Sequence, residues 1–99
     1  MEKVKESLAN FVKREYGPEE TVDFSELSRV DFVYGETEDG RQVEVFADLQ
    51  NLQIVTLLSK EVFDIVHCES LTEMADFIDG SCFDSYIGDV EAVLALTGE

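Results

Sequence analysis

Between residues 30 and 67 four short runs rich in Val, Ile, Phe and Leu are separated by turn dipeptides, a pattern that constrains the fold more than any other feature of the chain. Runs of this kind bury one face each, and they bury it as a sheet. The breaks at Asp39-Gly40, Gln50-Asn51 and Ser59-Lys60 are too short for crossover connections, so each strand returns antiparallel to the one before it. Asp39-Gly40 reads as a two-residue type I′ turn, which sets Tyr34 opposite Val45, Phe32 opposite Ala47 and Val30 opposite Leu49. The next turn sets Ala47 opposite Ile54, Val45 opposite Thr56 and Val43 opposite Leu58. The third sets Ile54 opposite Ile65, Thr56 opposite Phe63 and Leu52 opposite His67. Opposed residues share a face, so these pairs lie together on one side, and that side is predominantly apolar. A slip of one residue would carry a whole strand's set to the other face.

Helical patterns flank this segment. Val4, Leu8, Phe11 and Val12, with Tyr16 beyond them, form one stripe at the 3.6-residue period, and Gly17-Pro18 ends it. Residues 19–28 are expected to be a loop or short strand that tucks Val22, Phe24 and Leu27 against the core. After the last strand, Ser70-Leu71-Thr72-Glu73 is a capping box: the Ser hydroxyl serves an orphan amide and Glu73 reaches back to the cap. Leu71, Met74, Ala75 and Ile78 supply the inner stripe of that helix, and Gly80 stops it. A final helix from about Asp84 turns Tyr86, Ile87, Val90, Val93 and Leu94 inward and runs to Gly98. The expected class is α+β: a four-stranded antiparallel meander with an N-terminal helix and two C-terminal helices, in the order α-β-β-β-β-α-α, helices packed on the apolar sheet face. With one Pro and no linker-like segment, residues 1–99 are expected to form one acidic domain.

The charge is heavily one-sided. Twenty-three acids against seven bases give −16, yet 44% of the chain is apolar and seven residues are Phe, which excludes a disordered acidic tail. Four of the bases, Lys3, Lys5, Lys13 and Arg14, sit in the first helix, where they offset neighbouring acids and suit the late-helix dipole. After them only Arg29, Arg41 and Lys60 remain, and beyond Lys60 there is no Lys or Arg. Such a field repels nucleic acids, anionic membranes and anionic substrates and attracts basic surfaces. The N-terminal residues lack the apolar run of a secretory signal, and no stretch approaches a membrane span. A cytoplasmic setting is expected, with Cys68 and Cys82 as reduced thiols.

The search for catalytic machinery finds little. His67 is the only histidine, and the pairing above turns it inward near the end of the fourth strand, with Cys68 on the opposite face. Glu38-Asp39-Gly40-Arg41 is a hairpin turn without the length or Lys of a phosphate loop. Asp76 with Asp79, or Asp84 with Asp89, could gather a cation, but among so many acids such pairs arise by chance, and none has EF-hand spacing. No cofactor is called for, and the expectation is a binding protein, not an enzyme.

The second sheet face is more informative. Val33, Phe46, Val55, Leu57 and Val62 form an apolar band across it, rimmed by Asp31, Glu44, Asp48 and Asp64. Either the first helix covers this face, giving three layers, or the band is an exposed interface.

The acid-dense strands (Asp31, Glu36, Glu38, Asp39, Glu44, Asp48) and the Lys/Arg-free tail from Glu61 to Glu99 resemble the acidic inhibitors of phages and mobile elements. These include DNA-mimic proteins, anti-CRISPR proteins and the uracil-DNA glycosylase inhibitor. The resemblance lies in charge, size and architecture, with no shared motif. It implies a basic protein partner, a nucleic-acid-processing enzyme whose groove the carboxylates occupy in place of phosphates. The candidate binding residues are then Asp31, Glu36, Glu38, Asp39, Glu44, Asp48, Asp64, Asp84 and Asp89, with Phe46, Val55 and Leu57 as apolar anchor. The alternative is a small structural or assembly module, a homodimer included, that binds through the second sheet face.

Overall fold

A computed structural model describes residues 2–97. Helix α1 (Glu2–Tyr16) precedes strands β1 (Val30–Glu36), β2 (Gln42–Asp48), β3 (Gln53–Leu58) and β4 (Glu61–His67), and helices α2 (Leu71–Asp79) and α3 (Phe83–Thr97) follow. The strands form one antiparallel sheet in sequence order, so the expected α+β meander is the observed architecture. Gly98, expected to end the last helix, lies outside the described residues.

The central pairing matches expectation: Val43, Val45 and Ala47 face Leu58, Thr56 and Ile54. Both outer pairings are corrected. In the first hairpin the loop holds three residues, because Gly40 N–H donates to the Thr37 carbonyl (3.0 Å) and Gly40 alone takes positive φ, +87°. That is a type I turn closed by a glycine bulge, and it shifts the register by one from a type I′ turn. Val33 therefore faces Val45 and Gly35 faces Val43. A second bulge at Phe32 then sets Val30 opposite Ala47 and Asp31 opposite Phe46, so Phe32 and Val33 both enter the core. The type I′ turn occurs instead at Ser59-Lys60, both at positive φ (51° and 69°).

Leu57 pairs with Val62 as expected, but an extra residue at Phe63 shifts the rest of β4. Thr56, Val55, Ile54 and Gln53 now face Asp64, Ile65, Val66 and His67. The expected pairs Ile54–Ile65, Thr56–Phe63 and Leu52–His67 are thus replaced. Asp64 and Val66 turn to the helix side, and Ile65 and His67 turn away from it.

The helices share one face of the sheet. Val4, Leu8, Phe11 and Val12 of α1 join Met74, Ala75 and Ile78 of α2 in one cluster with Val30, Val45 and Ile54. This overturns the three-layer alternative, since the apolar stripe of α1 is spent on the helix side. Phe11, Phe32 and Tyr86 meet edge-to-face, with centroids 5.2–6.1 Å apart. Each such buried ring contributes about 1.5–3 kcal/mol by leaving water, and edge-to-face geometry adds somewhat more. Val22, Phe24 and Leu27 of the long loop pack against this cluster, and Leu27 C=O accepts from Leu49 N–H (2.9 Å).

Local chemistry fixes the helix ends. Ser70 Oγ accepts from Glu73 N–H (3.1 Å), while Glu73 accepts from the Glu69 amide, one residue before the cap it was expected to serve. The end of α1 is stitched to the start of α3: Glu15 accepts from Phe83 N–H (2.9 Å) and Arg14 donates to the Ser81 carbonyl (2.8 Å). Crossing over β1, α3 comes so close that a Cβ on Gly35 would lie 2.6 Å from the Phe83 ring. Val93, expected to point inward, is 43% exposed.

Candidate functional site

The face of the sheet away from the helices is open. Phe46 opposite Val55, Val55 opposite Ile65, and Leu57 opposite Val62 form an apolar band from β2 to β4. Val55 and Leu57, flanked by strands on both sides, are buried there although they belong to neither packed cluster. Val62 at the outer strand is 63% exposed, and Ile65 and Tyr34 are exposed too. Val33, expected in this band, belongs to the core; Ile65 and Tyr34 are the residues that sequence reasoning missed.

The carboxylates of this face differ in their ties. Asp31, opposite Phe46, is bound by Arg29 (3.3 Å), whose guanidinium also lies 4.7 Å from the Phe46 ring centre. Asp48 accepts from the backbone of Gln50 and Asn51 and from Asn51 Nδ2, so it builds the β2–β3 turn as well as standing on the rim. Among the described residues Glu36 and Glu44, paired across to Gln42 and Tyr34 or Leu57, hold no cation.

Other candidate residues lie elsewhere. Glu38 and Asp39 are in the β1–β2 loop at the sheet's end. The Glu38 amide donates to Glu91 (3.0 Å), and Asp39 is tied to Thr37 and Arg41. The Thr37 hydroxyl, with help from Arg41 and against some desolvation, holds the Asp39 carboxyl below its usual range. Asp84 is exposed in the first turn of α3. Asp64, expected on the rim of the second face, is carried to the helix side by the Phe63 bulge. There it meets Asp89 across a cleft of about 290 Å³ between β4 and α3. Ile54 and Thr56 floor this cleft, with Phe63, Phe77 and Val93 beside them.

His67, expected to face inward, is exposed on the open face, where Gln53 Nε2 lies 3.3 Å from its Nδ1. Cys68 is buried and Cys82 half-buried, both unbridged. Desolvation, with the nearby Glu73 charge, raises the Cys68 pKa, which keeps its thiol protonated rather than activated. Among the described residues no group of three or more His, Cys, Asp or Glu is placed to hold a metal ion. No helix among them is long and apolar enough to cross a membrane.

No protein-family model, no characterised protein and no solved structure matches the chain.

Proposed function

We propose that this chain is a non-catalytic binding protein whose open sheet face docks on a basic protein surface, the kind of surface a nucleic-acid-processing enzyme offers to a phosphate backbone. The observation that carries the reading is a sheet face with an apolar band at its centre, Glu36 and Glu44 free beside it, and its nearest cation, Arg29, already taken by Asp31. The acidic field would steer a basic partner to this face, and Phe46, Val62 and Ile65 would supply the desolvated anchor. Arg29 already makes, within the chain, the contact a partner's arginine would make: its guanidinium stacks on a ring while pairing with a rim carboxylate. The unbridged thiols suit a cytoplasmic setting.

The test is capture by the immobilised chain from a bacterial lysate, followed by competition. Captured proteins should be basic, elute with moderate salt, and be displaced by double-stranded DNA, which the chain itself does not bind. Val62→Asp and Glu44→Lys should each abolish capture. Capture that ignores salt and DNA would defeat the reading.

The same face could instead pair two copies, and exposed Val62 and Ile65 favour that alternative. Two copies, however, bring two acidic rims and −16 each into contact. Sedimentation decides: a monomer at all salts supports the basic partner, and a dimer that tightens as salt rises supports self-assembly.

A further inference from the structure

Helix α3 is apolar on two sides. Ile87 and Val90 pack with Val43 and half-buried Leu94 in a small second cluster. Val93 and Leu96, on the other side, are 43% and 87% exposed. Helical spacing sets Val93 on one stripe with Asp89, and together with Tyr86 and Val90 they form one wall of the cleft whose other wall is β4. Half-exposed Phe77 of α2 stands at the same cleft.

We propose that this cleft is a second docking site, separate from the open sheet face, and that it takes a basic amphipathic helix of another protein. The apolar ridge of that helix seats on Phe63, Phe77 and Val93, and its flanking Lys or Arg residues pair with Asp64 and Asp89.

Charge selects this occupant. Asp64 stands on the strand wall and Asp89 on the helix wall, and among the described residues neither is in an ion pair. No Lys or Arg follows Lys60, so the surrounding half of the chain offers them no partner. Acid on both sides of an apolar floor complements a ridge with cations on both flanks, the pattern of a basic amphipathic helix. A second copy would instead bring its own Asp64 and Asp89, with −16, to the same groove. A strand added to the free edge of β4 would lie in the sheet plane and leave the cleft empty.

Size agrees. A volume of about 290 Å³ holds a few side chains rather than a whole helix, so the partner lies across the groove and inserts its anchors. From Tyr86 to Val93 the wall is roughly 10 Å long, enough for two helical turns of a partner.

The experiment titrates the isotope-labelled full chain, near physiological salt, with a synthetic Leu/Lys amphipathic helix of about 18 residues. A peptide of equal composition, with its Leu residues scattered around the helix, is the control. Amide shifts should cluster on β4 and α3, and the scattered peptide should bind at least about tenfold more weakly. Asp64→Asn with Asp89→Asn should weaken binding about tenfold, and Val93→Asp should remove it. Val93→Ser serves as a milder wall variant should Val93→Asp not fold. Val62→Asp, on the open face, should leave the affinity unchanged, which separates this site from the one proposed above. Equal binding of both peptides, shifts spread over the acidic surface, or shifts on β4 without α3 would overturn the proposal. So would self-association of the chain that Val93→Asp abolishes.

Discussion

On the helix-covered face of the sheet Val30, Val43, Val45 and Ala47 are fully buried, whereas on the opposite face Val62 keeps most of its surface in water. The same side chain, valine, serves both faces. What separates them is cover: three helices pack on one side, and on the other Arg29 reaches over Phe46. The faces also differ in charge, because the packed clusters hold no carboxylate while the open face is rimmed by them. The covered face therefore holds both packed clusters, whereas on the open face Val55 and Leu57 are buried between strands and the outer strand is left exposed.

The hardest test of this contrast substitutes one residue on each side. Phe32, 3% exposed, sits between Phe11 and Tyr86. Phe32→Asp removes that ring and buries a carboxylate, and a domain of this size has only about 5–15 kcal/mol to lose. Circular dichroism should find it unfolded at 25 °C. Val62→Asp should change the urea-derived stability by no more than about 0.5 kcal/mol, like other exposed changes. Comparable losses in both variants would mean that the open face is core after all.

Two glycines refine the comparison with effects of opposite sign. Gly35 lies under α3, where an added methyl would strike the Phe83 ring, itself backed by Ile87. Gly35→Ala should therefore destabilise by about 1–3 kcal/mol, as overpacking does. Gly88, exposed within α3, has no atom within 4 Å of an added Cβ. Gly88→Ala should stabilise by up to about 1 kcal/mol through helix propensity. Thermal melts of the two variants check both signs. A neutral Gly35→Ala would show that α3 can lift off β1 at no cost.

Much of this contrast could be read in the sequence, and the part that could not has a local cause. The β2–β3 pairing follows from the position of the turn because that hairpin carries no bulge. The outer pairings fail at Phe32 and Phe63, where one residue is inserted into each outer strand. Apolar doublets do not announce these insertions, since Phe46-Ala47, Ile54-Val55 and Ile65-Val66 carry none, and only the bulges themselves move Val33 into the core and Ile65 onto the open face. Turn type was harder to infer. Asp39-Gly40 supports both a type I′ turn and a type I turn with a glycine bulge, and nothing in Ser59-Lys60 announces two positive φ angles. That Phe46, Val55 and Leu57 share the second face was therefore legible, but not that Val55 and Leu57 are buried in it. The cleft between Asp64 and Asp89 was not, since it depends on which way one bulge turns β4.

The smallest expected effect concerns the stitch that ties α1 to α3 over the covered face. The Phe83 amide holds the Glu15 carboxyl below its usual range; partial burial opposes this, and Arg14 adds to it. A carboxylate with a lowered folded pKa contributes stability that is present above its unfolded value, about 4.3, and is lost as pH falls through the folded one. Glu15→Gln keeps the shape and removes the charge. The melting temperature of wild type should exceed that of the variant by a constant margin from pH 8 to pH 5. The margin should shrink below about pH 4.3 and then vanish. Protonating the many other acids relieves repulsion in both proteins alike, so the difference isolates Glu15. It should also be smaller than the Gly35→Ala change, because the glutamine oxygen can still accept from Phe83. A margin that does not shrink at all as pH falls below about 4.3 would mean that Glu15 acts through shape alone, and that charge plays no part in holding the helices over the sheet.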